Sequence, residues 1–110
     1  MVHYTRSLAL DRGCDGIRVD AVCPGPIETP LLAPALTIPG VPEEYARRLP
    51  LGRIGRPEEV AAASAFLASD DASYVMGSLL VVDGGITAHT GWPDFARILE
   101  QLAAGTQTSR

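Results

Sequence analysis

Few side chains in this sequence are of the types that do chemistry, and their spacing excludes most of what they could do. The cysteines are Cys14 and Cys23, and the histidines are His3 and His89. No Cys or His stands at ligand spacing from another, so no metal site is expected. Two cysteines are too few for a disulfide framework. Cys23 closes an apolar run and reads as a small, buried, reduced residue rather than a nucleophile. The strongest candidate is the turn Pro24-Gly25-Pro26-Ile27-Glu28-Thr29, which ends a strand pattern. Proline has no donor for the ladder, and glycine permits a tight turn. Open α/β sheets bind ligands outside the carboxyl ends of their strands, so this turn is where a ligand is expected.

The elements that position the turn follow from periodicity. Residues 1–12 read as a helix, with Val2, Thr5, Leu8 and Ala9 on one face and Gly13 as a stop. That helix has no start signal. Residues 17–23 alternate, with Ile17, Val19, Ala21 and Cys23 on one face, and predict a strand. Residues 24–56 are rich in proline and glycine and read as a long loop with a short helix over 43–49. A loop of this length is a lid or binding loop, or else a plain surface excursion. Residues 57–69 predict a helix. Pro57 suits its first position, and Glu58 and Glu59 suit the positive end of its dipole. Val60, Ala63, Ser64, Phe66 and Leu67 are its expected buried stripe. Residues 78–83 are a continuous apolar run before Gly84-Gly85 and predict a parallel strand covered on both faces. Residues 92–103 predict a last helix, and the tail 105–110 is expected to fray.

Together these give a single partial domain of the α/β class: two parallel strands with flanking helices. Its parts are helix and strand over 1–23, binding loop and lid over 24–56, helix and strand over 57–88, and a C-terminal tail over 89–110. The net charge is −4, and all nine basic residues are arginine. Mild acidity without a basic run excludes a nucleic-acid surface and an anionic-membrane surface. No apolar stretch reaches the ~20 residues needed to span a bilayer. A soluble, cytoplasmic setting is the expectation. Asp20, on a strand, needs donors, which backbone groups or Arg18 are expected to supply.

Three segments carry a resemblance. GIRVDAVCPGPIETPLL, LGRIGRPEEVAAASAFLASDDASYVMG and LLVVDGG, in this order and spacing, resemble the short-chain dehydrogenase/reductase family, in the branch that includes 3-oxoacyl carrier-protein reductases. The resemblance covers about residues 1–88. It implies the C-terminal part of a doubly wound, Rossmann-like sheet, with 17–23 and 78–83 as its sixth and seventh strands. It implies a cofactor, NAD or NADP, of which only the nicotinamide end would be met here. Pro24 and Gly25 would shape the turn beside the ring. Ile27 would meet the carboxamide through its backbone N–H and C=O, and Thr29 would hydrogen-bond the carboxamide or nearby phosphates. Leu31 and Leu32, in an apolar lid with Leu36 and Ile38, would touch a small-molecule substrate or simply pack the lid down. Gly77 and Asp83-Gly84-Gly85 would be structural and near a subunit interface, so a homo-oligomer is implied.

What the family's chemistry needs is missing. It uses a tyrosine that passes a proton, a lysine four residues later and an upstream serine. This sequence has no lysine. Tyr4, Tyr45 and Tyr74 are followed four residues later by Leu8, Leu49 and Ser78. The glycine-rich pyrophosphate turn is also absent. No catalytic residue is therefore assigned. The expectation is the C-terminal portion of an NAD(P)-dependent oxidoreductase that interconverts an alcohol and a ketone, inactive as a bare fragment. It would be a gene fragment, a mis-set start codon or a deliberately shortened chain. A non-catalytic oligomerisation module derived from the family is the alternative. With one strand edge open, marginal stability or self-association is expected.

Overall fold

Parallel pairing of two short strands organises the chain. The computed structural model describes residues 1–108, and the elements follow as α1 (Val2–Arg12), β1 (Ala21–Pro24), α2 (Ala33–Leu36), α3 (Val41–Arg48), α4 (Pro57–Ala68), β2 (Leu79–Val82) and α5 (Phe95–Thr108). Short 3-10 turns lie at Gly13–Asp15, Asp70–Ala72 and Ile86–Ala88. β1 and β2 run in parallel, with Ala21 opposite Leu79 and Pro24 opposite Val82. This is the α/β arrangement the sequence predicts.

Both strands are shorter than their patterns, and the upstream end of β1 shows why. The Ser78 amide donates to the Asp20 carboxylate at 2.8 Å instead of to a backbone carbonyl, and the Ser78 hydroxyl joins it at 2.7 Å. Gly77, with φ at 67°, kinks the chain just before. Regular pairing therefore begins only at Ala21. The expected need of Asp20 for donors is met by Ser78, with the Arg18 guanidinium 3.6 Å away. The Asp20 side chain is only 5% exposed. Arg18 also donates to the Ser69 carbonyl at 3.2 Å, which ties β1's approach to the end of α4.

Pro24 does not stop the strand but closes it. The Ala21 amide bonds Ser78 and the Gly25 amide bonds Val82. Donors toward β2 thus come from alternate residues, and Val22 and Pro24 face the open edge. The missing N–H of Pro24 costs the β1–β2 ladder nothing.

The helices depart from expectation at their ends. α1 runs to Arg12, but Gly13 continues in right-handed geometry into the 3-10 turn. Gly16, at φ 75°, makes the left-handed stop instead. Gly13 is small for another reason: a Cβ there would stand 3.2 Å from the Met76 methyl. The expected face of α1 is half realised. Thr5 and Ala9 are buried, Leu8 is half-buried and Val2 is exposed. α4 packs against both strands. Val60, Ala63 and Leu67 are half-buried on that contact, but Ser64 and Phe66 are exposed. A sheet two strands wide covers only a narrow strip of a helix. The region 24–56 holds α2 besides α3, so it is less irregular than predicted. α5 starts three residues later than expected and continues through 105–108, where fraying was expected; 109–110 lie outside the described residues. Cys23 is half-buried rather than buried, and both cysteines are free.

The result is elongated, 68 × 31 × 24 Å. Its radius of gyration is 19.0 Å, where a compact chain of this length would have about 13 Å. Only Ala9, Leu49 and Ala72 are buried apolar residues among those described. No helix among the described residues is long and apolar enough to cross a membrane. Replacing Asp20 with alanine strands the half-buried Ser78 amide and should cost roughly 1–3 kcal/mol. Urea unfolding of parent and D20A measures it; a change within about 0.5 kcal/mol would show that the carboxylate is dispensable.

Candidate functional site

The site is built where β1 and β2 end side by side. A Cβ on Gly25 would lie 2.5 Å from Asp83 Cβ and 2.7 Å from Asp83 Cα. No side chain fits there, so glycine lets the two strand ends touch. Asp83 then turns the chain. Its carboxylate accepts from the Gly85 amide at 2.8 Å and from the Thr87 amide at 3.1 Å, and from the Thr87 hydroxyl. The Thr87 hydroxyl and the Gly85 amide hold this carboxyl below the usual range. Gly84 and Gly85 have φ of 63° and 92°, and a Cβ on Gly85 would press within 2.9 Å of Pro50. The segment Leu49–Leu51 docks on this turn. Leu51 donates to the Gly84 carbonyl at 3.2 Å, and Leu49 is 3% exposed.

Beyond Gly25 the loop meets a second segment. Ile27 and Gly55 form an isolated parallel bridge: the Gly55 amide donates to Pro26 at 3.0 Å, and the Glu28 amide donates to Gly55 at 2.8 Å. In such a bridge the bonding groups belong to Pro26 and Glu28, so Ile27's own N–H and C=O point away from Gly55. Neither has a hydrogen-bond partner among the described residues. The Thr29 hydroxyl also makes no hydrogen bond among them, while the Thr29 carbonyl receives the Leu32 and Ala33 amides and starts α2.

The structure brings the six residues singled out from sequence into one place. Pro24, Gly25, Ile27, Thr29, Leu31 and Leu32 line a shallow depression of about 320 Å3. Leu31 is 93% exposed and Leu32 half-buried. A second depression of about 450 Å3 shares Ile27 and lies against Pro50, Leu51 and Val81. Among the described residues, no group of three or more His, Cys, Asp or Glu is placed to hold a metal ion.

Sequence reasoning missed the bracing of this loop. Arg53 makes a two-point ion pair with Glu59, at 2.7 and 2.8 Å, and donates to the Ile54 carbonyl. Glu59 also accepts the Arg56 amide at 3.0 Å and so caps α4. This is half a capping box, since the Arg56 guanidinium has no acceptor to return. The Arg53 side chain first, and then the Arg56 amide, lower the Glu59 pKa to about 2. The pair is six residues apart across a loop, outside any helical spacing, so periodicity could not reveal it. Helix α3 is held likewise. Glu44 pairs with Arg47 and Arg48 and has its pKa lowered to about 2. Arg97 and His89 donate to the Arg47 and Arg48 carbonyls, at 2.6 and 2.7 Å.

Comparison with known proteins gives this geometry a family. The family model described as Enoyl-(Acyl carrier protein) reductase matches residues 1–87. The chain is 46% identical over 97 residues to meso-2,3-butanediol dehydrogenase of Serratia marcescens, covering 84% of this chain and 36% of that protein. Among solved structures it is similar to an Agrobacterium tumefaciens protein with bound NADP, at 38% identity and a TM-score of 0.76, covering 80% of this chain and 36% of that one. It is also similar to 4-hydroxyisoleucine dehydrogenase complexed with NADH, at 29% identity and a TM-score of 0.77, covering 81% and 37%. The chain belongs to the short-chain dehydrogenase/reductase family. It spans about a third of the length of the curated relatives it matches.

Two measurements test the site's construction. Gly25→Ala forces a methyl into the Asp83 backbone and should destabilise by roughly 1–3 kcal/mol; an unchanged urea midpoint would mean the strand ends can separate freely. Glu59 should titrate near pH 2 when its carboxyl carbon is followed by NMR. A depressed folded pKa means the ion pair's contribution is full above the ordinary carboxylate range and is lost as pH falls through about 2. A midpoint near 4 would remove the pair from solution.

Proposed function

We propose that this chain is the C-terminal portion of an NAD(P)-dependent short-chain oxidoreductase that interconverts an alcohol and a ketone. In this reading Pro24, Gly25, Ile27 and Thr29 form the nicotinamide loop, and Leu31 and Leu32 begin a lid over a small-molecule substrate. One observation carries it: the bridge to Gly55 leaves the Ile27 amide and carbonyl unpaired on a rigid loop at the end of a parallel strand. A carboxamide offers one acceptor and one donor group, which fits that pair. When bound, the cofactor would supply or accept the hydride. The chain's own part is to hold the ring at a fixed angle with backbone groups that cannot rotate away. Thr29's free hydroxyl suits a second hydrogen bond to the same end. The choice between NAD and NADP lies outside these residues.

Proton transfer is not supplied here. With no lysine, the chain has no counterpart of the family's tyrosine–lysine pair. The bare chain is therefore expected to be inactive, a contributor of nicotinamide loop, lid and subunit interface. Its low burial and exposed Val81, Phe66 and Tyr74 support assembly with further copies, and equally the second reading of a non-catalytic oligomerisation module. Free cysteines suit a reducing, cytoplasmic setting.

The purified 110-residue chain should turn over no alcohol or ketone with NAD(P)(H) above background. In the same preparation, NADH at millimolar concentration should shift the amide resonances of residues 25–32 in preference to the rest. Turnover above background would overturn the inactivity. Shifts confined to other segments would overturn the nicotinamide loop. Reading the coding DNA in frame upstream of Met1 separates the two readings: a Tyr-x-x-x-Lys there supports the enzyme portion, and stop codons support the module.

A further inference from the structure

The bracing of the loop has a geometry that plain packing does not need. Arg53, Ile54, Arg56 and Glu59 form a closed ring of contacts around Gly55. Arg53 reaches both oxygens of Glu59 and the Ile54 carbonyl, and Glu59 receives the Arg56 amide. The ring fixes the backbone on both sides of Gly55 to the first turn of α4, which itself packs on both strands. Gly55 is also the residue that bonds Pro26 and Glu28. A Cβ on it would meet the Ile27 side chain at 2.8 Å, so its lack of a side chain lets Ile27 lie across it. The chain of contacts runs from α4 through the ion pair to Gly55, and from Gly55 to the orientation of Ile27.

We propose that Arg53 and Glu59 are positioning residues: their ion pair clips Gly55 to α4, and Gly55 in turn presents the unpaired Ile27 amide and carbonyl to the nicotinamide. This deepens the nicotinamide reading and rests on it. An exposed ion pair contributes little to global stability. Its effect here is local, because the loop has few other restraints. A two-point arginine–carboxylate pair fixes direction as well as distance, which a lysine would not. The Glu59 carboxylate acts through the backbone and touches no reacting atom.

Amide hydrogen exchange of the full 110-residue chain without ligand tests the clip. The Glu28 and Gly55 amides report the bridge, and the Ala21 and Gly77 amides, bonded to Ser78 and Val19, report the rest of the fold. In Glu59→Gln and in Arg53→Gln, exchange at Glu28 and Gly55 should rise roughly three- to tenfold. Ala21 and Gly77 should stay within about twofold, and the double variant should do no worse than either single one. The Ile27 amide resonance should move toward its random-coil position while that of Val22 does not. Arg53→Lys should recover part of the protection. Unchanged exchange at Glu28 and Gly55, equal acceleration at all four amides, or no recovery in Arg53→Lys would overturn the clip. Because no ligand is present, such a failure leaves the nicotinamide reading to the NADH titration described above.

Discussion

Two backbones touch at Gly25 and Asp83, and the geometry of the candidate site hangs on that contact. The strands that end there are only four residues each, so the ladder alone holds them weakly. The close approach turns their ends into a common floor. From it the Gly25–Thr29 loop leaves on one side, and the Asp83–Gly85 turn leaves on the other and receives the chain at Pro50 and Leu51. A side chain at position 25 would part the strand ends and move both at once. Glycine is therefore required by the protein's own backbone, before any ligand approaches. The atoms a side chain at position 25 would meet are those of Asp83.

The fold was legible where a pattern is local. The alternation from Ile17 to Cys23, the proline and paired glutamates at the start of α4, and the apolar run before Gly84 each led to an element of the right type. Their ends were not legible, because they depend on partners far away. β1 starts late because a side chain, Asp20, takes the Ser78 amide. α1 passes Gly13, whose small size answers to the Met76 methyl rather than to a helix stop. The candidate site divides in the same way. Six residues within nine positions could be named from the turn and the family resemblance, and they share one depression. The Arg53–Glu59 pair and the bridge at Gly55 join residues with no common period, so only the folded chain brings them to notice.

The stripe expected on α4 is only partly covered: Val60, Ala63 and Leu67 are half-buried, and Ser64 and Phe66 are exposed. α1 was expected to carry an apolar face and α4 a buried stripe, yet Val2 and Phe66 are exposed and the chain is half as long again in radius of gyration as a compact one. A two-stranded sheet has too little surface to cover two helices. What remains ordered does so largely through polar and backbone contacts: Asp20 with Ser78, Asp83 with Thr87, Glu59 with Arg53, and Arg97 and His89 on the end of α3. Such contacts fix direction well and add little total free energy. The segment from Pro24 to Arg56 is therefore better defined in shape than it is deeply anchored.

Pro24 carries a consequence for the open side of the sheet. Facing outward, β1 offers the N–H and C=O of Val22 and the C=O of Pro24, but no second donor. A strand arriving at that edge would complete one rung and then find an acceptor without its companion. An added strand would lose one ladder bond at that end of β1. The proline that seems to end a strand thus also shortens the ladder that could be added beside it.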